Sequence, residues 1–295
     1  MNLTLLLIMG VSWGLHFALV KMLSGIGIPA LLLLFPTLLG ISIFFAAAIV
    51  AKGRLFKPRW PHLRFFVIGG VLGYVAPILV ELLVAPNIDA GLLTLIVTTT
   101  PLFTIAVTAV LGREPVGVRK IVAAGLGAVA AVALLLPDAA LPSTGMRAWV
   151  VAAFAVPALY AVYNIYVAAA WPSDLDAIQV AAGESAASAL FAVPFFAWSA
   201  AGAGLDALFA EPGTLLALVL ATTVEVWAFF ELIRRAGAVY VSFASFAALI
   251  GGVSWGTLLF AERPTAWMTV SLLLVMASLL VLGRSQPEES RAAGV

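Results

Sequence analysis

The sequence predicts an all-α polytopic membrane protein of about ten transmembrane helices, and three observations predict it. Of 295 residues, 64% are hydrophobic and 10% charged, and the mean hydropathy is +1.16, more apolar surface than a water-soluble chain of this length could cover. Apolar runs of roughly 20 residues, the length that crosses a hydrocarbon core, follow one another along the chain. The charged residues are bunched in the short breaks between these runs instead of being spread over a surface.

The spans fall at approximately 4–23, 30–51, 65–83, 91–111, 119–136, 148–170, 177–200, 213–234, 238–260 and 266–283. The first follows Met1-Asn2-Leu3-Thr4, which lacks the basic stretch and small-residue cleavage site of a signal peptide, so it is expected to stay as a helix. Gly25 to Pro29 sets off the second, and the basic stretch from Lys52 to Arg64 leads into the third. Pro86-Asn87 precedes the fourth, Gly112-Arg113-Glu114-Pro115 the fifth, and a polar loop ending at Arg147 the sixth. Trp171-Pro172-Ser173-Asp174 precedes the seventh, Glu211-Pro212-Gly213 the eighth, Arg234-Arg235-Ala236-Gly237 the ninth and Glu262-Arg263-Pro264 the tenth.

All but Lys21, Arg147 and Arg263 of the 15 Lys and Arg fall on one side when the N-terminus is placed inside, which predicts both termini in the cytoplasm. Trp60, Trp149, Trp171 and Trp267 lie near span ends, as interfacial anchors do. A net charge of +1 divided by side of the membrane points to no nucleic-acid partner. The absence of cysteine excludes thiolate catalysis, disulfides and Cys-type metal sites. With His16 and His62 the only histidines and no H-E-x-x-H, Walker A or Rossmann pattern, no metal or other cofactor is expected. The connections leave no room for a soluble catalytic or nucleotide-binding domain.

The chain reads as doubled. Gly112-Arg113-Glu114-Pro115 recurs as Ala261-Glu262-Arg263-Pro264, and at the offset of 148 residues that sets Glu114 on Glu262, Ser12 to Ala18 falls on Tyr160 to Tyr166, which places His16 over Asn164 and Ala90 over Ala238. Five spans per half is an odd number, so the halves are inverted: 1–146 is the first repeat, 147–284 the second and 285–295 a cytoplasmic tail.

Ser12-Trp13-Gly14, Thr100-Pro101, Glu114-Pro115 and Glu262-Arg263-Pro264 together resemble the EamA-type branch of the drug/metabolite transporter superfamily, over nearly the whole chain. In particular the chain is similar to bacterial amino-acid exporters. Leu249 stands where a proline matching Pro101 is frequent in that family, and Ala161 where a second tryptophan is common. The resemblance implies ten helices in two inverted five-helix repeats around a central cavity. It also implies export of amino acids or similar small amphiphilic metabolites across a bacterial inner (plasma) membrane, with membrane lipid and the small-molecule substrate as partners.

A membrane-buried ionisable group is costly unless it faces protein or water, so Glu81, Glu184, Glu225, Glu231 and His16 are the starting points for a pathway. Glu225 lies halfway along its span and is expected in the cavity, with Glu225 and Glu184 as possible coupling carboxylates; Glu231 sits a turn from Arg234 and Arg235 and is expected to pair with them. Trp13 and His16 share a face of the first helix, Tyr74, Pro77 and Glu81 one of the third, and Tyr160, Tyr163, Asn164 and Val167 one of the sixth. Thr98, Thr99 and Thr100 either satisfy the carbonyl that Pro101 frees or line the cavity, and Ser242, Ser245 and Ser254 pose the same choice. The expected substrate-binding set is Trp13, His16, Tyr74, Pro77, Glu81, Thr99, Tyr160, Tyr163, Asn164, Glu225 and Ser245.

Gly10-Val11-Ser12-Trp13-Gly14 and Gly252-Val253-Ser254-Trp255-Gly256 match the G-x-S-x-G hydrolase pattern, but inside long apolar spans they read as packing faces. An intramembrane serine enzyme would need His16 beside Ser12, four residues away on one helix. A channel would need symmetric subunits or a filter loop. A non-enzymatic carrier fits the inverted halves better than either.

Overall fold

A computed structural model describes residues 1–84, 87, 93, 96–112, 116–135, 147–261 and 266–283, and every regular element among them is a helix. Arg113, Glu114, Pro115, Glu262, Arg263 and Pro264, with Ala90, Arg284, Arg291 and the tail 285–295, lie outside the described residues. The helices are α1 (Asn2–Gly25), α2 (Ala30–Ala51), α3 (Trp60–Gly70), α4 (Ala76–Val84), α5 (Thr100–Leu111) and α6 (Val118–Leu135). They continue as α7 (Arg147–Ala153), α8 (Ala155–Ala170), α9 (Ala177–Ala203), α10 (Pro212–Ser242), α11 (Ala244–Phe260) and α12 (Ala266–Gly283).

Six stretches are long and apolar enough to cross a membrane: Asn2–Gly25, Leu31–Ala51, Trp60–Glu81, Ala148–Ala170, Ala177–Gly202 and Pro212–Ser242. Ile96–Leu111, Ala244–Phe260 and Thr269–Leu282 are shorter apolar helices. Large apolar side chains such as Val110, Val151, Leu190 and Leu258 stand on outward faces with most of their surface uncovered, a pattern that suits lipid and not water.

Helix boundaries follow local chemistry. α3 begins at Trp60, ahead of the expected 65, because Pro61 fits a first turn and His62 Nδ1 accepts the Arg59 amide at 3.2 Å. A π turn, Val71–Val75, joins α3 to α4 where Pro77 cannot donate to the carbonyl four residues back. Pro157 likewise lacks the amide that would reach Ala153, and the sixth expected span is divided there into α7 and α8 at Phe154. α2 and α9 run unbroken through Pro36 and Pro194. α10 has 31 residues, about 46 Å of helix against a core of about 30 Å. It breaks at Gly237, whose φ of 80° and ψ of 177° suit glycine, and this is where the eighth and ninth expected spans divide. The ninth span is divided again at Phe243, the turn between α10 and α11.

At one end of the bundle the 52–59 and 171–176 connections are clasped together. Arg54 Nη1 meets Asp176 Oδ2 at 2.7 Å, His62 Nε2 lies 3.0 Å from Asp174 Oδ1, and Gln179 Nε2 donates to the Arg54 carbonyl at 2.9 Å. Asp176 is also the N-cap of α9, accepting the Ile178 and Gln179 amides at 2.9 Å each while Gln179 Oε1 accepts the Asp176 amide. Partial burial raises the Asp176 pKa, but those amides and the Arg54 guanidinium outweigh it and hold the carboxyl below its ordinary range.

α1 packs on α10 and α11, and α8 packs on α4, α5 and α10; α2 pairs with α9, and α6 with α12. The α6–α12 seam is fastened by Ser271 and Ser278, whose hydroxyls donate to the Ala130 and Ala123 carbonyls at 2.7 and 2.6 Å. The α1–α11 seam is closer still. A methyl group on Gly14 would collide with the Gly251 and Gly252 backbone, one on Gly10 with Ala247, and one on Gly251 with the Gly10 carbonyl 2.7 Å away. Trp255 Nε1 donates across this seam to the Val11 carbonyl at 3.0 Å. Gly10 and Gly14 thus serve as the expected packing face, whereas α11 meets it mainly with Ala247 to Gly251, the stretch just before the second motif; around Gly252, and around Gly125, a methyl group would have nothing within 4 Å.

Candidate functional site

Between the helices lies a cavity of about 360 Å3, walled by residues from α1, α2, α4, α5, α8, α10 and α11 and from the π turn. That volume is in the range of small-molecule sites. Its surface is mainly apolar and aromatic, with the polar groups concentrated in a few positions, an arrangement that holds an amphiphile by contact and orients it by hydrogen bonds.

The first polar group joins α1 to α10. Thr222 gives its one hydroxyl hydrogen to the Leu218 carbonyl at 2.8 Å and lies 3.0 Å from His16 Nδ1. Having no second hydrogen, Thr222 accepts from His16, which assigns the imidazole proton to Nδ1. The same Nδ1 is 3.5 Å from Glu225 Oε2, one helical turn along α10 from Thr222. This is ion-pair distance without hydrogen-bond alignment, and Glu225 Oε2 is buried with no hydrogen-bond donor among the described residues. His16 therefore turns to Thr222 and Glu225, not to Ser12.

Aromatic rings frame these groups. Trp13 meets Tyr160 edge to face at 6.1 Å and stacks on Phe17 at 6.0 Å. Tyr163 stacks on Phe229 at 5.1 Å with the planes 8° apart, and Tyr74 meets Tyr163 edge to face at 6.2 Å. Gly73 makes room for this layer, since a methyl group there would enter the Tyr163 ring. Behind it, Tyr163 donates its hydroxyl to Glu184 Oε2 at 2.8 Å. Glu184 is fully buried against Gly69 and Gly70, and its Oε1 has no partner.

Of the residues singled out in the sequence, Trp13, His16, Tyr74, Glu81, Tyr160, Tyr163, Asn164, Glu225 and Ser245 line the cavity, and Pro77 and Thr99 do not. Tyr74, Ile78 and Glu81, spaced i, i+4 and i+7, share the lining face, and Pro77 is buried beside it. Thr99 turns its hydroxyl back to the Ile96 carbonyl at 2.5 Å. Thr100 lines the cavity in its place, and it also donates at 2.6 Å to the Val97 carbonyl, the one that Pro101 frees. Glu184 touches the cavity only through Tyr163. Glu231 pairs with Arg234 and Arg235, Arg235 Nε donating to its Oε1 at 2.7 Å. Val167 is packed in the core. Ser242 both lines the cavity and donates to the Val239 carbonyl at 2.6 Å, and Thr37, Thr222, Met9 and Phe229 are lining residues that sequence reasoning missed. Thr222 alone left a signal, one turn before Glu225 on the face that Glu225 defines.

No curated protein matches the chain. Among solved structures, one protein known from a crystal structure has a similar fold, with a TM-score of 0.74 over 94% of this chain and 98% of its own, at 16% identity. Residues 1–136 match the EamA-like transporter family. Residues 1–136 are thus similar to the EamA-like transporter family of the drug/metabolite transporter superfamily, and the apolar helices suit repeated membrane crossings.

Proposed function

We propose that the protein is a secondary transporter that exports amino acids or similar small amphiphilic metabolites across a bacterial inner membrane, by alternating access through the cavity between its halves. The observation that carries this reading is the cavity itself. Residues from both halves wall it, and His16 and Asn164, which the internal repeat superposes, both face it.

Helix pairing supports two inverted repeats, 1–146 and 147–284. If α1 corresponds to α8, α2 to α9, α4 to the first part of α10, α5 to α11 and α6 to α12, then the contacts of α1 with α10 and α11 answer those of α8 with α4 and α5. The α2–α9 and α6–α12 pairs then lie on the axis that relates the halves. Two similar halves around one site are what an alternating carrier needs. Trp13, His16, Tyr74, Glu81, Tyr160, Tyr163, Asn164, Glu225 and Ser245 form the substrate surface in this reading, with Glu225 central to the cycle.

Counterflow of labelled amino acids into proteoliposomes preloaded with unlabelled ones tests it. Uptake above empty liposomes that is lost in Glu225→Gln is the expected result. No uptake of any amino acid by folded protein overturns the amino-acid assignment, and no counterflow of any small amphiphile overturns the carrier.

A further inference from the structure

We infer that the cavity is built for an organic cation: it takes a small molecule with an ammonium group and an apolar body, and discriminates against a carboxylate on the same molecule. This rests on the reading of the cavity as the substrate pathway, and within that reading it selects amines over zwitterionic amino acids.

The charge of the lining is one-sided. Among the described residues that wall the cavity, Glu81 and Glu225 are carboxylates, His16 is the one side chain that can become cationic, and there is no lysine or arginine. Even with His16 protonated, the carboxylates outnumber it. Lys21, further along α1, lies with its Nζ over the Phe260 ring, 4.4 Å from the centroid, and does not line the cavity. A substrate carboxylate would find Thr, Ser, Asn and one histidine in a low-dielectric space that already holds two carboxyl groups.

The acids are also placed to receive a donor. Glu225 Oε2 is buried without a protein hydrogen-bond donor, so an ammonium is what its lone pairs lack. Glu81 lies on α4 and Glu225 on α10, and both line the cavity with Tyr160. Trp13, Tyr74, Tyr160 and Phe229 supply ring faces and edges between them. Aromatic faces attract cations and cover apolar bodies, but they offer nothing to an anion. Thr37 adds a buried hydroxyl with no protein partner, a neutral contact for the remainder of the molecule.

The test is a charge series on one carbon skeleton. 2-Phenylethylamine, phenylalanine and 3-phenylpropanoate are titrated at pH 7 into the purified full-length protein in detergent, with binding followed by calorimetry. The expected order is amine first, phenylalanine at least about tenfold weaker, and the anion undetectable. Glu225→Gln and Glu81→Gln should each weaken amine binding by about tenfold or more. Because the series is read on the wild type, the outcome does not depend on either variant folding. Phenylalanine or phenylpropanoate binding as tightly as the amine, no amine binding to protein that melts cooperatively, or unchanged amine affinity in both folded variants overturns the inference. Absent counterflow with intact amine binding removes the transport reading and leaves the cation site standing; counterflow of zwitterions with weaker amine binding does the reverse.

Discussion

Tyr163 donates its hydroxyl to Glu184 at 2.8 Å and so ties the aromatic wall of the cavity to a carboxyl that no solvent reaches. The ring of Tyr163 faces the cavity, while its oxygen is committed to the interior. The phenol is the only hydrogen-bond donor given to Glu184 among the described contacts, since Oε1 has none.

Tyr163→Phe should therefore lower the unfolding free energy by about 1–3 kcal/mol, the cost of leaving a buried acceptor unmet. Tyr166→Phe is the comparison, because Tyr166 contributes mainly a ring stacked on Phe65 at 5.4 Å, and it should change stability by less than about 0.5 kcal/mol. Melting of the detergent-solubilised proteins measures both. Equal losses in the two variants would show that the Glu184 contact contributes nothing.

In the proposed repeat His16 corresponds to Asn164, and its Nδ1 proton is what Thr222 accepts. An asparagine amide can supply a donor from nearly the same place. His16→Asn should then keep counterflow within about tenfold of the wild type, and His16→Ala should lose more, since a hydrogen bond to a charged or polar group is worth about 1–3 kcal/mol. If both variants are equally impaired at equal expression, the donor is not what His16 provides.

Replacement of Gly14 by alanine puts a methyl group into the Gly251 and Gly252 backbone. Backbone cannot move aside as a side-chain tip can, so a loss of at least about 2 kcal/mol is expected for Gly14→Ala. Gly252→Ala and Gly125→Ala meet nothing within 4 Å and should be neutral or stabilising by up to about 1 kcal/mol through helix propensity. The three melting temperatures, taken together, separate packing from propensity.

Asp176 is held below its ordinary pKa, so its contribution to stability is fully present above the unfolded-state value of about 3.9 and is lost as pH falls through the folded one. Asp176→Ala should cost about 0.5–2 kcal/mol near neutrality through the lost cap, with little added by the exposed Arg54 pair. Below about pH 4 the wild type and variant should converge. Melting curves from pH 7 down to 3 show it, and a constant gap across that range would contradict the assignment.

The six long spans are legible in the sequence because a hydrocarbon core imposes a length on every apolar run. Gly237 is legible too, standing just after Arg234 and Arg235, where charge and glycine coincide. Pro77 is off the lining for a physical reason: steps of three and four residues fit a helical face equally well, so Tyr74 and Glu81 are compatible with either Pro77 or Ile78 between them, and packing selects Ile78. Glu225 and His16 stand out by charge in an apolar background, whereas Met9, Phe229 and Thr37 look like any other residue of a buried helix. What places them in the cavity is the packing of distant helices, α2 and α10 against α1, and no local pattern encodes that.

The α1–α11 seam is closed at backbone distance along Gly10, Gly14 and Gly251 and pinned by Trp255. Helices in such contact have no clearance to slide or roll past each other, so they form a single lever. Trp13 and His16 ride on one arm and Ser245 on the other. Their mutual spacing is a constant of the molecule, and any motion that reshapes the cavity must do so by moving other walls toward or away from this fixed jaw.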